Sequence, residues 1–397
     1  MTELAVVHRR MVDDLITSGE LVGQWREAFA AVPRHLFIPE VVWQEDHNVA
    51  GPADLVPLRR ADHPDAWLEL AYGPDFVITQ VDDGQPVGPG GRGHDATSSA
   101  SMPAVVADML ARLDVQPGMR VLEIGTGTGY NAALLAQRLG AGNITTIEID
   151  PVLATHAREA LTSAGYGEVI VVTGDGAHGH PPGAPYDRII STANVTQVPH
   201  PWVAQTRAGG RVLTPWGTPY YIGGLLSLTV TEDGVATGGL VSKTSFMGLR
   251  DQRIPRVSVR RCVHHEDDAT TTTCTQLHPH DLAGHYDVQI GIGIQVPQCT
   301  YLYQPAEGDS EEAILWLFDP WSGSWASLHH NPQRASDSYR VRQLGPRHLF
   351  DEVETAYHRW REAGSPTANQ WTFTVTPHHQ RISLMDDHSA VPSVVSR

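Results

Sequence analysis

The sequence predicts an α/β fold: a parallel sheet covered by helices on both faces, continued by an α+β region. Three observations carry this. Between residues 120 and 193 short apolar runs alternate with helical periods. A glycine-rich turn, GTGTG, joins the first run to the first helix, and after about residue 250 the alternation gives way to runs joined by turns. Strands alternating with helices imply parallel βαβ units buried on both sides.

Residues 3–18 open the chain as a helix, with Val7, Met11 and Leu15 along one face. AVPRHLFIPE (31–40) follows, then a polar stretch to about residue 75. DDGQPVGPGGRGHDATSSAS (82–101) is so rich in Gly, Pro and Ser that it reads as one long loop, and long loops in compact domains are functional or mobile. Met102–Leu113 reads as a helix with Pro103 in its first turn, where a missing N–H does no harm. RVLEIG (120–125), NITTIEID (143–150), EVIVVTGD (168–175) and YDRIISTA (186–193) are the strands, with helices at 130–140 and 151–165 between them. RVLTPWG (211–217) and GLLSLTV (224–230) add two more strands. Beyond residue 250, VQIGIGIQV (288–296), AILWLFD (313–319), SWASLHH (324–330) and WTFTVT (371–376) are expected as strands, and 348–364 as an amphipathic helix. The expected division is an N-terminal helical or irregular part (1–80), a ligand-binding core (81–249) and a C-terminal α+β domain (250–397).

A chain of 397 residues exceeds one hydrophobic core, and 41% hydrophobic with 18% charged residues is a globular balance. The net charge of −17, with no Lys/Arg run, repels phosphate backbones, so no nucleic-acid partner is expected. No stretch reads as a signal-peptide core or a membrane span. Cys262, Cys274 and Cys299 lie far apart without a CxxC pair, which suits reduced thiols and neither a disulfide framework nor a zinc site. A cytoplasmic protein is the expectation, with no membrane partner and no metal. His264–His265, His329–His330, His378–His379 and His278/His280 are expected mostly at the surface, since neighbours on a strand point to opposite faces. Trp316, Trp321, Trp325, Trp360 and Trp371 are expected as core of the C-terminal region.

The chemistry concentrates in VLEIGTGTGY (121–130). A turn that ends a strand and opens a helix lies at the carboxyl edge of a parallel sheet, where such proteins bind ligands. Gly125, Gly127 and Gly129, with Thr126 between them, let the backbone approach a ligand closely. Tyr130 stands where a dinucleotide fingerprint would have its third glycine, so a nicotinamide oxidoreductase fits poorly. Glu123 precedes the turn. Glu148, followed by Ile149, ends the next strand, where a carboxylate can accept both hydroxyls of a ribose. Asp175, followed by Gly176, ends the third, within reach of an adenine amino group. Acidic groups at three strand ends suit a cationic nucleoside without phosphate, whereas a pyrophosphate wants a bare helix N-terminus. Upstream, Ser98, Ser99 and Ser101 place hydroxyls before the helix at Met102, with helix capping as their plain alternative.

VPRHLFIPE, SSASMP, RVLEIGTGTGYNAALLA, IEID, VVTGDGA, YDRIISTA and GGRVLTPWG stand in the order that resembles the protein-L-isoaspartate O-methyltransferases, over roughly residues 1–230. The resemblance implies a Rossmann-like domain, S-adenosylmethionine as cofactor and a peptide or protein carboxylate as substrate. It implies that Gly125–Gly129, Glu148 and Asp175–Gly176 contact the cofactor, and that Ser99 and Ser101 hold the carboxylate. Ser98 and Arg92 are further candidates for the substrate, Arg92 as local compensation for its charge. ITQVDDGQPVGPGGRGHDAT (78–97) departs from the family's Gly-Tyr-Gly-Gln-Thr approach, and the chain continues well beyond the family's minimal length. In both respects it resembles the subgroup that modifies ribosomally made peptides, above all the methyltransferases of FxLD-type lanthipeptide systems. That implies methylation of an ordinary Asp in a cyclised precursor peptide, closure to a succinimide (aspartimide) and opening to isoaspartate. Repair of isoaspartyl residues remains the alternative, and a non-catalytic peptide-binding scaffold the second.

Overall fold

The computed structural model describes residues 3–46, 55–221, 223–305, 312–331 and 338–385. The chain divides into two compact units: residues 1–193 with 199–214 and 229–234, and residues 194–198, 215–228 and 235–397.

The first unit opens with helices α1 (Glu3–Thr17) and α2 (Arg26–Ala31). α1 buries Met11 and Leu15 of the expected face, leaves Val7 half-buried, and adds Val12 and His8, which bonds the carbonyl of Phe29. Strands β1 (Val41–Glu45) and β2 (Leu55–Arg59), helix α3 (Pro64–Tyr72) and strands β3 (Val77–Val81) and β4 (Ala96–Ala100) follow. The four strands form an antiparallel sheet in the order β2-β1-β3-β4. β4 corrects the sequence reading, in which 82–101 is a loop throughout. Its sequence, ATSSA, has little strand propensity of its own; pairing with the fully buried β3 makes it a strand.

Helix α4 (Pro103–Leu113) leads into the parallel sheet. Its strands are β5 (Val121–Ile124), β6 (Ile144–Glu148), β7 (Ile170–Thr173), β8 (Tyr186–Ser191) and β9 (Thr206–Trp216), connected through α5 (Tyr130–Leu139), α6 (Pro151–Ser163) and α7 (His200–Ala204). Their spatial order is β7-β6-β5-β8-β9, every neighbouring pair parallel. The chain therefore runs outward from β5 on one side and returns to its other side at β8. That reversal opens a crevice at the carboxyl end of β5, the place where such sheets take ligands.

The second unit holds most of β10 (Gly224–Val230), then β11 (Ala236–Lys243), α8 (Val259–Cys262), β12 (Thr271–Thr275), α9 (Pro279–Ala283), α10 (Tyr286–Gly293) and β13 (Thr300–Gln304). It continues through β14 (Ala313–Asp319), β15 (Ser324–His330), β16 (Tyr339–Leu344), α11 (Leu349–Glu362), β17 (Trp371–Val375) and β18 (Gln380–Leu384). β12 to β16 form an antiparallel sheet in the order β12-β16-β15-β14-β13. β17 pairs antiparallel with β18 and with β11, from Ala236↔Val375 to Gly239↔Thr372, which draws residues 236–243 into this unit. Residues 1–80 share a unit with the parallel sheet, since the antiparallel sheet of β1 to β4 runs across residue 80.

Trp316, Trp325, Trp360 and Trp371 are core, whereas Trp321 is 50% exposed. The surface expectation also fails for His329: it is buried, with Nδ1 2.9 Å from Glu312, and its Nε2 meets Glu266. His330, its neighbour, points the other way and sets Nε2 3.2 Å from Nε2 of His278. Among the described residues no group of three or more His, Cys, Asp or Glu is arranged to hold a metal, and no helix is long and apolar enough to cross a membrane.

VQIGIGIQV, expected as a strand, is mostly helix α10. Alternating Ile and Gly imitates a period of two, but Val288 to Gly293 are all buried, and a helix buried all round carries no amphipathic period. Gly291 shows why glycine is there: a Cβ would come 2.3 Å from Cδ1 of Trp360 on α11. Replacing it overpacks the contact, so Gly291→Ala is expected to destabilise the protein by about 1–3 kcal/mol. Urea unfolding checks this; an unchanged midpoint would mean that Trp360 moves aside without strain.

Candidate active site

The turn after β5 is held from three sides. Gly125 has φ of 90°, and a Cβ there would lie 2.7 Å from Oγ1 of Thr192. That hydroxyl donates to the Gly125 carbonyl at 2.6 Å, so the end of β8 grips the turn. Gly127, with φ of 52°, donates its N–H to Oε2 of Glu148 at 2.9 Å. Gly129 caps α5 and donates to the carbonyl of Thr126 at 2.9 Å.

Three residues expected at the cofactor face inward instead. Glu123 is fully buried, and its two oxygens accept from Thr146 and from Asn131, each at 2.6 Å. Burial pushes its carboxyl up to about 7, against the lowering effect of those two bonds. Thr126 spends its hydroxyl on Thr146 at 2.7 Å. Tyr130 packs its ring against Phe29 and Phe37, and burial raises its phenol. These residues brace the turn from beneath, a role that strand-end position alone could not reveal.

Others lie beside the turn at the ends of the neighbouring strands, where Glu148 is itself buried. Glu148 also accepts the N–H of Asp150 at 3.1 Å; a carboxylate offers about four acceptor sites in all. Ile149 is half-buried beside it. Asp175 is half-buried past the end of β7, accepts the N–H of Ala177 at 2.9 Å and lies 3.4 Å from His178. Gly176 is buried, and its carbonyl takes the indole N–H of Trp202 at 2.8 Å.

The serines reach the turn from β4. A Cβ on Gly127 would lie 3.9 Å from both Oγ of Ser98 and the carbonyl oxygen of Ser99. Ser98 is buried and its Oγ accepts from Thr79 at 3.2 Å, while Ser99 and Ser101 are half-buried. They do not serve as caps, because Met102 is the N-cap of α4 and no side chain caps that helix. Arg92, the candidate cation for the substrate, is half-buried and forms an ion pair with Asp46 at 3.1 Å.

Two residues missed in the sequence organise this approach. Gln80 donates to Asp150 at 2.9 Å and accepts from Thr97 at 2.9 Å, linking β3, β4 and the start of α6. Asp82 accepts the N–H groups of Asp95 at 2.8 Å, His94 at 3.1 Å and Val87 at 3.4 Å. Burial works against its carboxylate, but these donors and His94 outweigh it and hold the group below the usual range. The signal for both lies in ITQVDDG, which the sequence shows only as a departure from the family's approach segment.

The family model for protein-L-isoaspartate(D-aspartate) O-methyltransferase matches residues 81–253. The protein-L-isoaspartate O-methyltransferase of Hyperthermus butylicus is 33% identical over 251 residues, covering 61% of this chain and 87% of that protein. That of Methanothermobacter thermautotrophicus is 35% identical, covering 53% of this chain and 79% of its own. The chain belongs to this family. It is a protein or peptide (iso)aspartate O-methyltransferase, and its cofactor is S-adenosylmethionine. A solved protein-L-isoaspartate O-methyltransferase shares the fold over 95% of this chain and 99% of its own, at 20% identity and a TM-score of 0.53. The enzyme's own turn fits the cofactor: Gly127 leaves a cradle that a side chain would narrow, Glu148 and Asp175 stand at the ends of the neighbouring strands, and Gly125–Tyr130 contains no Lys or Arg to attract phosphate.

Glu123 yields a pH prediction. Its folded pKa of about 7 lies above the ordinary carboxylate value, so its contribution to stability is full below about pH 4.3 and is lost as pH rises through 7. Glu123→Gln should remove that loss. Denaturant unfolding at pH 5 and pH 8 should show the wild type falling relative to the variant by on the order of 1–3 kcal/mol. Parallel stability profiles for the two proteins would refute it.

Proposed function

We propose that the enzyme esterifies the carboxylate of an isoaspartyl residue in a protein or peptide. In this reading Glu148, Ile149, Asp175 and Gly176 hold S-adenosylmethionine over the glycine turn, and Ser99 and Ser101 hold the substrate. The observation that carries it is the approach of β4 to the turn: a Cβ on Gly127 would lie 3.9 Å from Oγ of Ser98 and from the carbonyl oxygen of Ser99. When bound, S-adenosylmethionine supplies a methyl group on a positively charged sulfur. A carboxylate with an unperturbed pKa of ~3.9 is already ionised at neutral pH and needs no general base. The chain's own contribution is therefore alignment: hydroxyl donors fix one carboxylate oxygen, leave the other directed at the cradle, and keep water away.

A second reading is favoured by the approach segment, where the Asp82 knot replaces the family's short glycine-rich run. There the substrate is an ordinary Asp in a cyclised precursor peptide of the lanthipeptide type, with the second unit recognising the peptide. The next backbone nitrogen attacks the methyl ester, methanol leaves and a succinimide forms; water then opens it to isoaspartate.

Offering isoaspartyl and Asp forms of one peptide together, linear and cyclised, with labelled cofactor separates the readings. The isoaspartyl form is expected to take most of the label. Preferential labelling of Asp in the cyclised form, with a product one water lighter, would replace the first reading by the second. Glu148→Ala should weaken binding of S-adenosylmethionine by about 1.5–3 kcal/mol in calorimetric titration, since the lost hydrogen bonds are charge-assisted. Wild-type affinity there would displace the cofactor from this strand end.

A further inference from the structure

The first unit buries a cation. Arg34, which opens a short 3₁₀ helix (Arg34–Phe37), has no exposed surface, and among the described residues no carboxylate pairs with it. Burial lowers its pKa to about 10, so it stays charged at neutral pH. Tyr72 and Tyr130 are its ionisable neighbours; burial raises both phenols, that of Tyr72 to about 12, so neither supplies an anion. A buried charge without a counter-charge is expensive unless something else in its surroundings offsets it.

Its hydrogen bonds show what it acts on. Nη1 donates to the carbonyl of Ala71 at 2.7 Å, and Nη2 donates to those of Ala100 at 3.3 Å and Ser101 at 2.9 Å. Nε is buried without a partner. Two of the three acceptors thus belong to the serine segment. In a trans peptide the C=O and N–H point to opposite sides. Drawing the carbonyls of Ala100 and Ser101 toward Arg34 therefore turns the N–H groups of Ser101 and Met102 away from it. The first turn of α4 begins there without a side-chain cap, so its N–H groups add to the same positive surroundings. Arg92, the cation the sequence suggested, is engaged with Asp46.

We propose that Arg34 is a positioning residue for the substrate carboxylate: its charge, uncompensated by any described carboxylate, and its hold on two consecutive carbonyls set Ser99–Met102 to receive an anion. The proposal rests on the methylation reading above. The charge acts through the segment and across an interior that screens it little. It answers a difficulty of composition, since a chain of net charge −17 must attract a negative substrate.

The test uses the full chain saturated with S-adenosylhomocysteine, which prevents turnover. It is titrated with an isoaspartyl hexapeptide and with the same peptide bearing a carboxamide in place of that carboxylate. The wild type should bind the acid about tenfold more tightly than the amide. Arg34→Gln should bring the two within about twofold of one another. Arg34→Lys should keep most of the preference while binding both peptides more weakly, because the charge remains and the fork that holds two carbonyls is lost. Binding of S-adenosylhomocysteine itself should be unchanged in both variants. A wild-type preference in Arg34→Gln overturns the proposal. Should that variant not fold, an Arg34→Lys protein that has lost its preference overturns it equally. A wild type that binds neither peptide and transfers no methyl group overturns the methylation reading, and this proposal with it.

Discussion

The turn after β5 must hold an open, glycine-lined cradle at the end of a parallel sheet, and a single hydrogen bond fixes its tip. Glu148 at the end of β6 accepts the N–H of Gly127 at 2.9 Å, so the two strands that flank the crevice share one carboxylate. Beneath it, Glu123, Thr146 and Asn131 form a buried polar support, with Thr126 joined through Thr146. A polar network in a low-dielectric interior is strong only when its members are satisfied, and here both Glu123 oxygens are. The shape of the cradle is thus set by carboxylates that look, from their positions at strand ends, as if they were all meant for a ligand. Both are buried: Glu148 holds the tip of the turn, and Glu123 its base.

The substrate side is attached to this cradle by a different set of bonds. Gln80 ties β3 to Asp150 at the N-terminus of α6, and β4 follows because it is paired with β3. Of the two hydroxyls that the resemblance assigns to the substrate, that of Ser99 is therefore carried on a strand, which has less freedom than a loop of the same composition, and Ser101 follows directly after it. The long excursion between β3 and β4 is closed by Asp82, whose carboxylate gathers backbone donors from Asp95, His94 and Val87. Rigid support on both sides is what a reaction governed by alignment requires.

Charge is handled by position. The molecule is strongly acidic, yet the serine segment is backed by a buried arginine whose guanidinium holds two of its carbonyls. The second unit carries its own core, with Trp316, Phe318 and Trp325 on one face of its antiparallel sheet and α11 packed against β14, β15 and β16. A solved family member with the same fold over nearly the whole chain shows that length beyond the catalytic sheet is compatible with this architecture.

The sequence by itself determined the parallel sheet, its helices, and the ligand end. Each of these rests on local signals: the period of apolar residues, a proline or glycine at a helix boundary, and glycines whose φ no other residue adopts easily. What it could not determine depends on partners distant in the chain. ATSSA became a strand because β3 lies beside it, and VQIGIGIQV became mostly a helix because Gly291 leaves room for Trp360, 69 residues further on. Glu123 and Glu148 are both carboxylates near the ends of apolar strands, and only their partners separate them: side chains of Asn131 and Thr146 on the first, backbone N–H groups of Gly127 and Asp150 on the second. The ion pair of Arg92 with Asp46 has no local signal, and Arg34 is one letter of a motif until the carbonyls of Ala100 and Ser101 meet its guanidinium. Periodicity is written into consecutive residues, but a hydrogen bond between residues 67 apart exists only after folding has brought them together.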